Sequence, residues 1–188
     1  RGGKAVRVLV YCDKRKVAEE VKKAIEAKAG WGKKKPQADI HEPELFVGAR
    51  RIKERVDAAE KLKALGFLAG SSVTLDKAAF LIATSAGEVG VDLDADHMVC
   101  DLVPWERMVQ RLGRANRLGK GDSQVILCRE TDEPKPKKPE EPKPDEARAL
   151  VAWRCLQVVR NLPEKEGCFD VSPGALRELK LKAQCDLE

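Results

Sequence analysis

The 188-residue sequence contains no Gly-x-x-x-x-Gly-Lys-Ser/Thr stretch. Gly3-Lys4, Gly32-Lys33 and Gly119-Lys120 are followed by Ala, Lys and Gly. None of them can cradle a triphosphate and also offer a hydroxyl to Mg2+. Acid pairs are equally misplaced. Asp132-Glu133 and Asp145-Glu146 lie in or beside a proline-rich tract, not at the end of an apolar strand where a magnesium-binding, water-activating pair belongs. Histidine is scarce, with only His41 and His97 and no His-Asp dipeptide, so a dinuclear HD-type metal centre cannot be assembled. The six cysteines show no Cys-x-x-Cys spacing, and three fall in or at the ends of apolar runs. Reduced, buried thiols in the cytoplasm are expected, not disulfides or zinc. No apolar run approaches the ~20 residues that span a bilayer, and no membrane contact is expected. The chain opens at Arg1 without a methionine and reads as a piece of something larger.

What is present suits one ordinary core: 43% hydrophobic and 36% charged residues, with a net charge of +5. That balance welcomes polyanions without proving nucleic-acid binding. Apolar, β-rich runs at Val6–Tyr11, 45–47, 80–83, 97–100 and 124–128 predict strands. Between them, Val17, Val21, Ala24 and Ile25 recur at helical spacing before Gly30, and Ile52, Val56, Ala59, Leu62 and Leu65 do so before Gly66. Alternating strands and helices predict an α/β fold, a mostly parallel sheet covered on both faces. Ligands then sit beyond the carboxyl ends of the strands, where Thr84 and its loop fall. Five prolines interleave with Lys and Glu across 132–146, predicting an extended linker that is neither helix nor central strand. Helices follow over 147–188, one across Ala147–Leu162 and one opened by Ser172-Pro173. The expected organisation is a sheet domain over 1–131, the linker over 132–146 and a helical extension over 147–188.

The chemistry concentrates in Thr84–Leu118. A helix from Pro104 would place Trp105, Met108, Val109, Leu112 and Ala115 on one side and Gln110, Arg114 and Arg117 on the other, with Arg107 and Arg111 close by. A row of guanidinium forks matches phosphate oxygens, although a lone basic helix is as readily a solvated face. The turn before it adds weight. Ala86-Gly-Glu-Val-Gly-Val-Asp92 supplies two glycines where backbone must come close to a ligand or strand, and a carboxylate able to reach a ribose or orient an arginine.

These segments resemble the second RecA-like domain of superfamily 2 helicases, most closely that of the CRISPR-associated helicase–nuclease of type I interference systems. Thr84-Ser-Ala-Gly-Glu-Val-Gly-Val-Asp92 matches helicase motif V, and Gln110-Arg-Leu-Gly-Arg-Ala-Asn-Arg117 matches motif VI. The Trp105-Glu-Arg lead-in and the Asn116-Arg-Leu-Gly119 exit favour the CRISPR branch. Val8–Cys12 looks like motif IV and Gly48-Ala-Arg-Arg51 like the segment after it, so the likeness spans roughly residues 5–130.

The resemblance implies a three-layer RecA-like fold and a set of roles. Arg117 would be the arginine finger on the γ-phosphate, Arg114 its partner, and Gln110 a sensor of the triphosphate. Arg111 would tie the helix to the acidic motif of the other domain. Asp92 would meet the ribose or hold Arg114, and Gly90 would let backbone approach. Thr84, with Arg50 or Arg51, would bind a nucleic-acid phosphate. The implied cofactor is ATP with Mg2+, the metal held by the first RecA-like domain. The implied partners are single-stranded DNA, that first domain, an HD nuclease domain and a CRISPR RNA-guided surveillance complex. Phosphoryl transfer needs a phosphate cradle, Mg2+, a positioned water and an arginine finger. Only the finger is expected here, so the chain alone should neither hydrolyse ATP efficiently nor cut DNA. Two other readings stay open: a nucleic-acid-binding or docking module without motor function, and a fragment of an RNA helicase or remodeller.

Overall fold

A computed structural model describes residues 5–31, 39–48, 52–88, 90–129, 134–135 and 140–185. Its elements run β1 (Arg7–Tyr11), α1 (Arg15–Ala29), β2 (Glu44–Phe46), α2 (Ile52–Ala64), β3 (Ala79–Ala83), β4 (His97–Asp101), α3 (Trp105–Leu112), β5 (Val125–Cys128), α4 (Pro144–Arg160), β6 (Glu164–Lys165), β7 (Cys168–Phe169) and α5 (Pro173–Cys185). The chain forms two compact units: 1–101 with 114–128, and 102–113 with 129–188. The units therefore interleave in sequence, and α3 groups with the C-terminal elements.

The first unit holds a five-stranded sheet in the order β2-β3-β1-β4-β5, every neighbouring pair parallel. Parallel sheets are stable when both faces are dry, and the strands alternate accordingly. Val10 and Ile82 pack with Ala18 of α1 on one side, joined by Val8, Val17, Val21, Ile25 and Phe80. Pointing to the opposite side are Leu9, Tyr11, Leu81, Met98 and Cys100, each at most 1% exposed. Each such large apolar side chain contributes ~2 kcal/mol by leaving water. Gly30 closes α1 in the left-handed conformation, φ 79°, which glycine adopts at little cost.

At the amino end of the sheet, Arg7 clasps Asp96. Its main-chain N–H donates at 2.7 Å, its guanidinium at 3.1 and 3.2 Å, and another guanidinium nitrogen donates to the Gly66 carbonyl at 2.7 Å. Burial alone would push the Asp96 carboxyl up, but the Arg7 hydrogen bonds outweigh it and hold the group below its usual value.

The second unit contains α3, α4, the antiparallel β6–β7 ribbon and α5. Here α4 begins inside the proline tract, at Pro144, instead of at Ala147. Proline is tolerated at the first helical position because its missing N–H would be unpaired there anyway. The Glu146 carboxylate then reaches back to accept from the Lys143 N–H at 3.0 Å. The start of α5 matches the sequence reading, with the Ser172 hydroxyl accepting from the Ala175 N–H at 3.3 Å. The β6–β7 turn, with Glu166 at φ 54° and Gly167 at φ 75°, is an addition that no apolar alternation announced. Cys12, Cys100 and Cys155 are buried, whereas Cys128 and Cys168 are exposed. Among the described residues no helix is long and apolar enough to cross a membrane.

Candidate nucleotide and nucleic-acid site

The site lies at the carboxyl end of β3. Thr84 follows the strand, its N–H donating to the Phe46 carbonyl of β2 at 3.1 Å, and only 8% of the residue stays exposed. A single 3-10 turn over Ser85–Gly87 comes next. Gly87 is sterically required: a Cβ there would stand 2.9 Å from the Ala83 Cβ and 3.2 Å from the Tyr11 ring. Its carbonyl accepts a hydrogen bond from the buried Tyr11 hydroxyl at 2.6 Å. Gly90 serves differently. It sits at φ 85° with open space where a side chain would be, so glycine is favoured there by backbone conformation.

Residues 92–95 form the rail that organises the rest. On one side the Ala69 N–H donates to the Asp92 carbonyl and the Asp94 N–H to the Phe67 carbonyl, both at 2.8 Å. Across the rail, the Ala95 N–H donates to the Arg114 carbonyl at 2.9 Å and the Asn116 N–H to the Ala95 carbonyl at 2.7 Å. The Asp94 carboxylate also accepts from the Arg117 N–H at 2.9 Å. Asn116 adopts φ 45°, a conformation asparagine tolerates better than most residues, and its side chain bonds Gly121.

This framing brings Arg114 and Arg117 together. One Asp92 carboxylate oxygen meets the Arg114 guanidinium at 2.9 Å and that of Arg117 at 2.6 Å. Arg114 also donates to the Glu88 carbonyl at 3.0 Å. The Arg114 side chain is 12% exposed and that of Arg117 39%. Two cations thus share one acid, and the outer cation faces solvent.

Three expectations need correction. The helix does not reach 117: α3 ends at Leu112, capped by Gly113. Arg114 and Arg117 are positioned by a turn and by the Ala95 bridge, not by a helical face. The Asp92 carboxylate pairs with Arg114 and with Arg117 as well. Finally, Arg111 is not beside a solvent-facing row but fully buried, 0% exposed, on the α3 face that also buries Met108 and Leu112. Val109, expected on the apolar face, is 37% exposed. Gln110 is exposed on α3 in the second unit. Arg50 and Arg51 lie outside the described residues.

The family described as "CRISPR-associated nuclease/helicase Cas3, C-terminal" matches residues 5–120. The chain belongs to this Cas3-like C-terminal family.

Its relatives agree. ATP-dependent DNA helicase fml1 of Schizosaccharomyces pombe is 29% identical over 160 residues, covering 82% of this chain and 16% of that protein. A CRISPR-associated nuclease/helicase Cas3 of Myxococcus xanthus is 36% identical over 72 residues, 37% of this chain and 10% of that protein. The fold aligns with the crystal structure of T. fusca Cas3–ADP at a TM-score of 0.63 and 21% identity, covering 94% of this chain and 20% of that one. The Cas3-like chain therefore spans a fifth or less of each of these proteins.

Tyr11, Asp94 and Asn116 brace the loops around these arginines in this Cas3-like domain, although the sequence reading gave none of them a role. Signals existed: Tyr11 is the sole tyrosine and ends a strand, and Asp94 repeats the acid of Asp92 at the alternate position.

Proposed function

We propose that this Cas3-like chain is the second motor domain of an ATP-dependent DNA helicase of the type I CRISPR interference kind. In this reading Arg117 supplies the arginine finger and Arg114 its partner, with Gln110 sensing the triphosphate. Asp92 holds both arginines and Gly90 leaves room for a ligand. Thr84, with Arg50 or Arg51, lines part of the single-stranded DNA track. Arg111, being buried, acts by supporting the helix. The residues over 1–131 carry the motor, the proline-rich tract before α4 links, and the helices from Pro144 onward extend it.

The observation that carries the reading is the sharing of one Asp92 oxygen by two guanidinium groups beside a glycine-containing loop. Exposed ion pairs are worth only ~0–1 kcal/mol, so a polyphosphate can draw Arg117 off Asp92. Arg114, largely buried and bonded also to the Glu88 carbonyl, stays behind as an anchor. Arginine forks bind phosphate oxygens in pairs, and such preset donors stabilise charge that develops during phosphoryl transfer.

ATP with Mg2+ fits as the cofactor only if the metal is held by a first RecA-like domain, since this sequence carries neither the phosphate loop nor the acid pair. T. fusca Cas3 has structures named for ADP, ATP and AMPPNP, which supports a nucleotide in this role. A further similar structure is named as a CRISPR RNA-guided surveillance complex, and it supports such a complex as the recruiting partner. The name of the fml1 relative specifies DNA and favours DNA over RNA. An HD nuclease domain in the same protein and a cytoplasmic setting complete the reading.

The test restores the first RecA-like domain, in trans or in the parent chain, and measures phosphate release with and without single-stranded DNA. DNA-stimulated turnover should appear and should collapse on Arg117→Ala. Turnover within twofold of the unsubstituted protein would falsify the finger assignment. Salt-sensitive DNA binding indifferent to nucleotide would instead favour a docking module.

A further inference from the structure

We infer that Tyr11 is a positioning residue, its buried hydroxyl holding the Gly87 carbonyl next to the Glu88 carbonyl on which Arg114 rests, so that the loop after β3 and the arginine pair move together. The inference rests on the motor reading above and adds to it the contact through which nucleic acid would govern turnover.

Tyr11 is the only tyrosine in the sequence and is 1% exposed at the end of β1. A phenylalanine would fill the same space against Gly87. The hydroxyl instead takes the Gly87 carbonyl at 2.6 Å. The next carbonyl along, that of Glu88, is taken by Arg114 at 3.0 Å. Two consecutive carbonyls are thus held by side chains from two distant parts of the chain. The planar Gly87–Glu88 peptide joins the Glu88 carbonyl through a single Cα, so a shift of the first carbonyl displaces the second. Space leaves little alternative: a Cβ on Gly87 would already collide with Ala83 and with the tyrosine ring.

Upstream, the same short turn begins at Thr84, which is pinned through its N–H to the Phe46 carbonyl. Further along the chain is Asp92, which pairs with Arg114 and Arg117. A phosphate drawn to Thr84 therefore pulls on a loop whose pivot is the Tyr11 hydroxyl. Without that hydroxyl the turn can yield locally, and the pull is lost before it reaches Arg114.

The test uses the chain together with the first RecA-like domain. Tyr11→Phe should lower the DNA-stimulated to DNA-free ratio of ATP turnover by about tenfold. DNA-free turnover and nucleotide-free affinity for an oligothymidylate should stay within twofold of the unsubstituted protein. A purely structural role would move none of these ratios once the folded fraction is matched by thermal unfolding. A stimulation ratio within twofold of the original overturns the inference while leaving the finger assignment of Arg117 intact. If Arg117→Ala leaves turnover unchanged, the motor reading fails and this inference falls with it. Should Tyr11→Phe not fold, a ring-fluorinated tyrosine at position 11 keeps ring and hydroxyl but ionises nearer neutrality. Stimulation should then fade as pH rises through that ionisation, and a ratio independent of pH overturns the proposal.

Discussion

Arg111 and Arg114 are near neighbours in sequence and end in opposite settings. Arg111 is on the last turn of α3, 0% exposed, sharing its face with Met108 and Leu112. Arg114, just past the Gly113 cap, belongs to a turn bridged to Ala95 and reaches Asp92, with Arg117 on the same oxygen and open to solvent. One guanidinium is part of a packed face and the other of an ion pair with Asp92. What separates them is the end of the helix. The same charge inside the last turn is carried into the interior, and beyond the cap it is delivered to the loop.

Substitutions at these positions should break or sharpen that contrast. The largest effect is expected at Arg117, where Arg117→Ala should lower DNA-stimulated turnover on the order of 10³-fold, as for arginine fingers generally. Urea unfolding should show stability nearly unchanged, because the side chain is partly exposed. Arg111→Ala should reverse the pattern. Removing a buried charged group that packs with Met108 and Leu112 should cost about 3 kcal/mol in urea unfolding, with turnover preserved at temperatures where the protein stays folded. Equal stability of this variant and the parent would show that Arg111 is not interior.

Cys155 reads out the same interior by pH. Burial pushes its thiol from 9.0 up to about 11, Glu106 adding to the rise and Arg111 opposing it. A thiol raised on folding stabilises fully below the unfolded value and loses that contribution as pH climbs towards the folded one. Stability should therefore decline between pH 9.0 and about 11, and Cys155→Ala should flatten that part of the profile in urea titrations. The smallest change is expected at Asp92. Its carboxylate is 62% exposed, so Asp92→Asn should shift unfolding by less than ~1 kcal/mol. A loss of several kcal/mol would mean that the pair is structural and that Arg117 is not free to leave it.

Much of the sheet was legible because each strand is a short apolar run ended by a turn signal. Val6–Tyr11 and 97–100 are each reproduced to within one residue of the observed strands. The motif V and motif VI segments were also legible from residue identity. Less so was how they meet. Helical spacing was extended through Gly113 to Arg117, and nothing local in Arg114-Ala-Asn-Arg117 opposed this. The competing force was a long-range bridge, Ala95 with Ala115, together with the Asp94 carboxylate on the Arg117 N–H. Proline likewise misled at Pro144, because a residue that breaks a helix interior is well placed at its first position.

The order of strands and helices, the burial of the central strands and the identity of the arginines and acids follow from local pattern and composition. These are properties each segment carries with it. Which arginine is interior and which is offered outward was decided only by folding. Burial and ion pairing depend on where separate segments come to rest, and a carboxylate at 92 can share its oxygen with 114 and 117 only after the chain between them has returned.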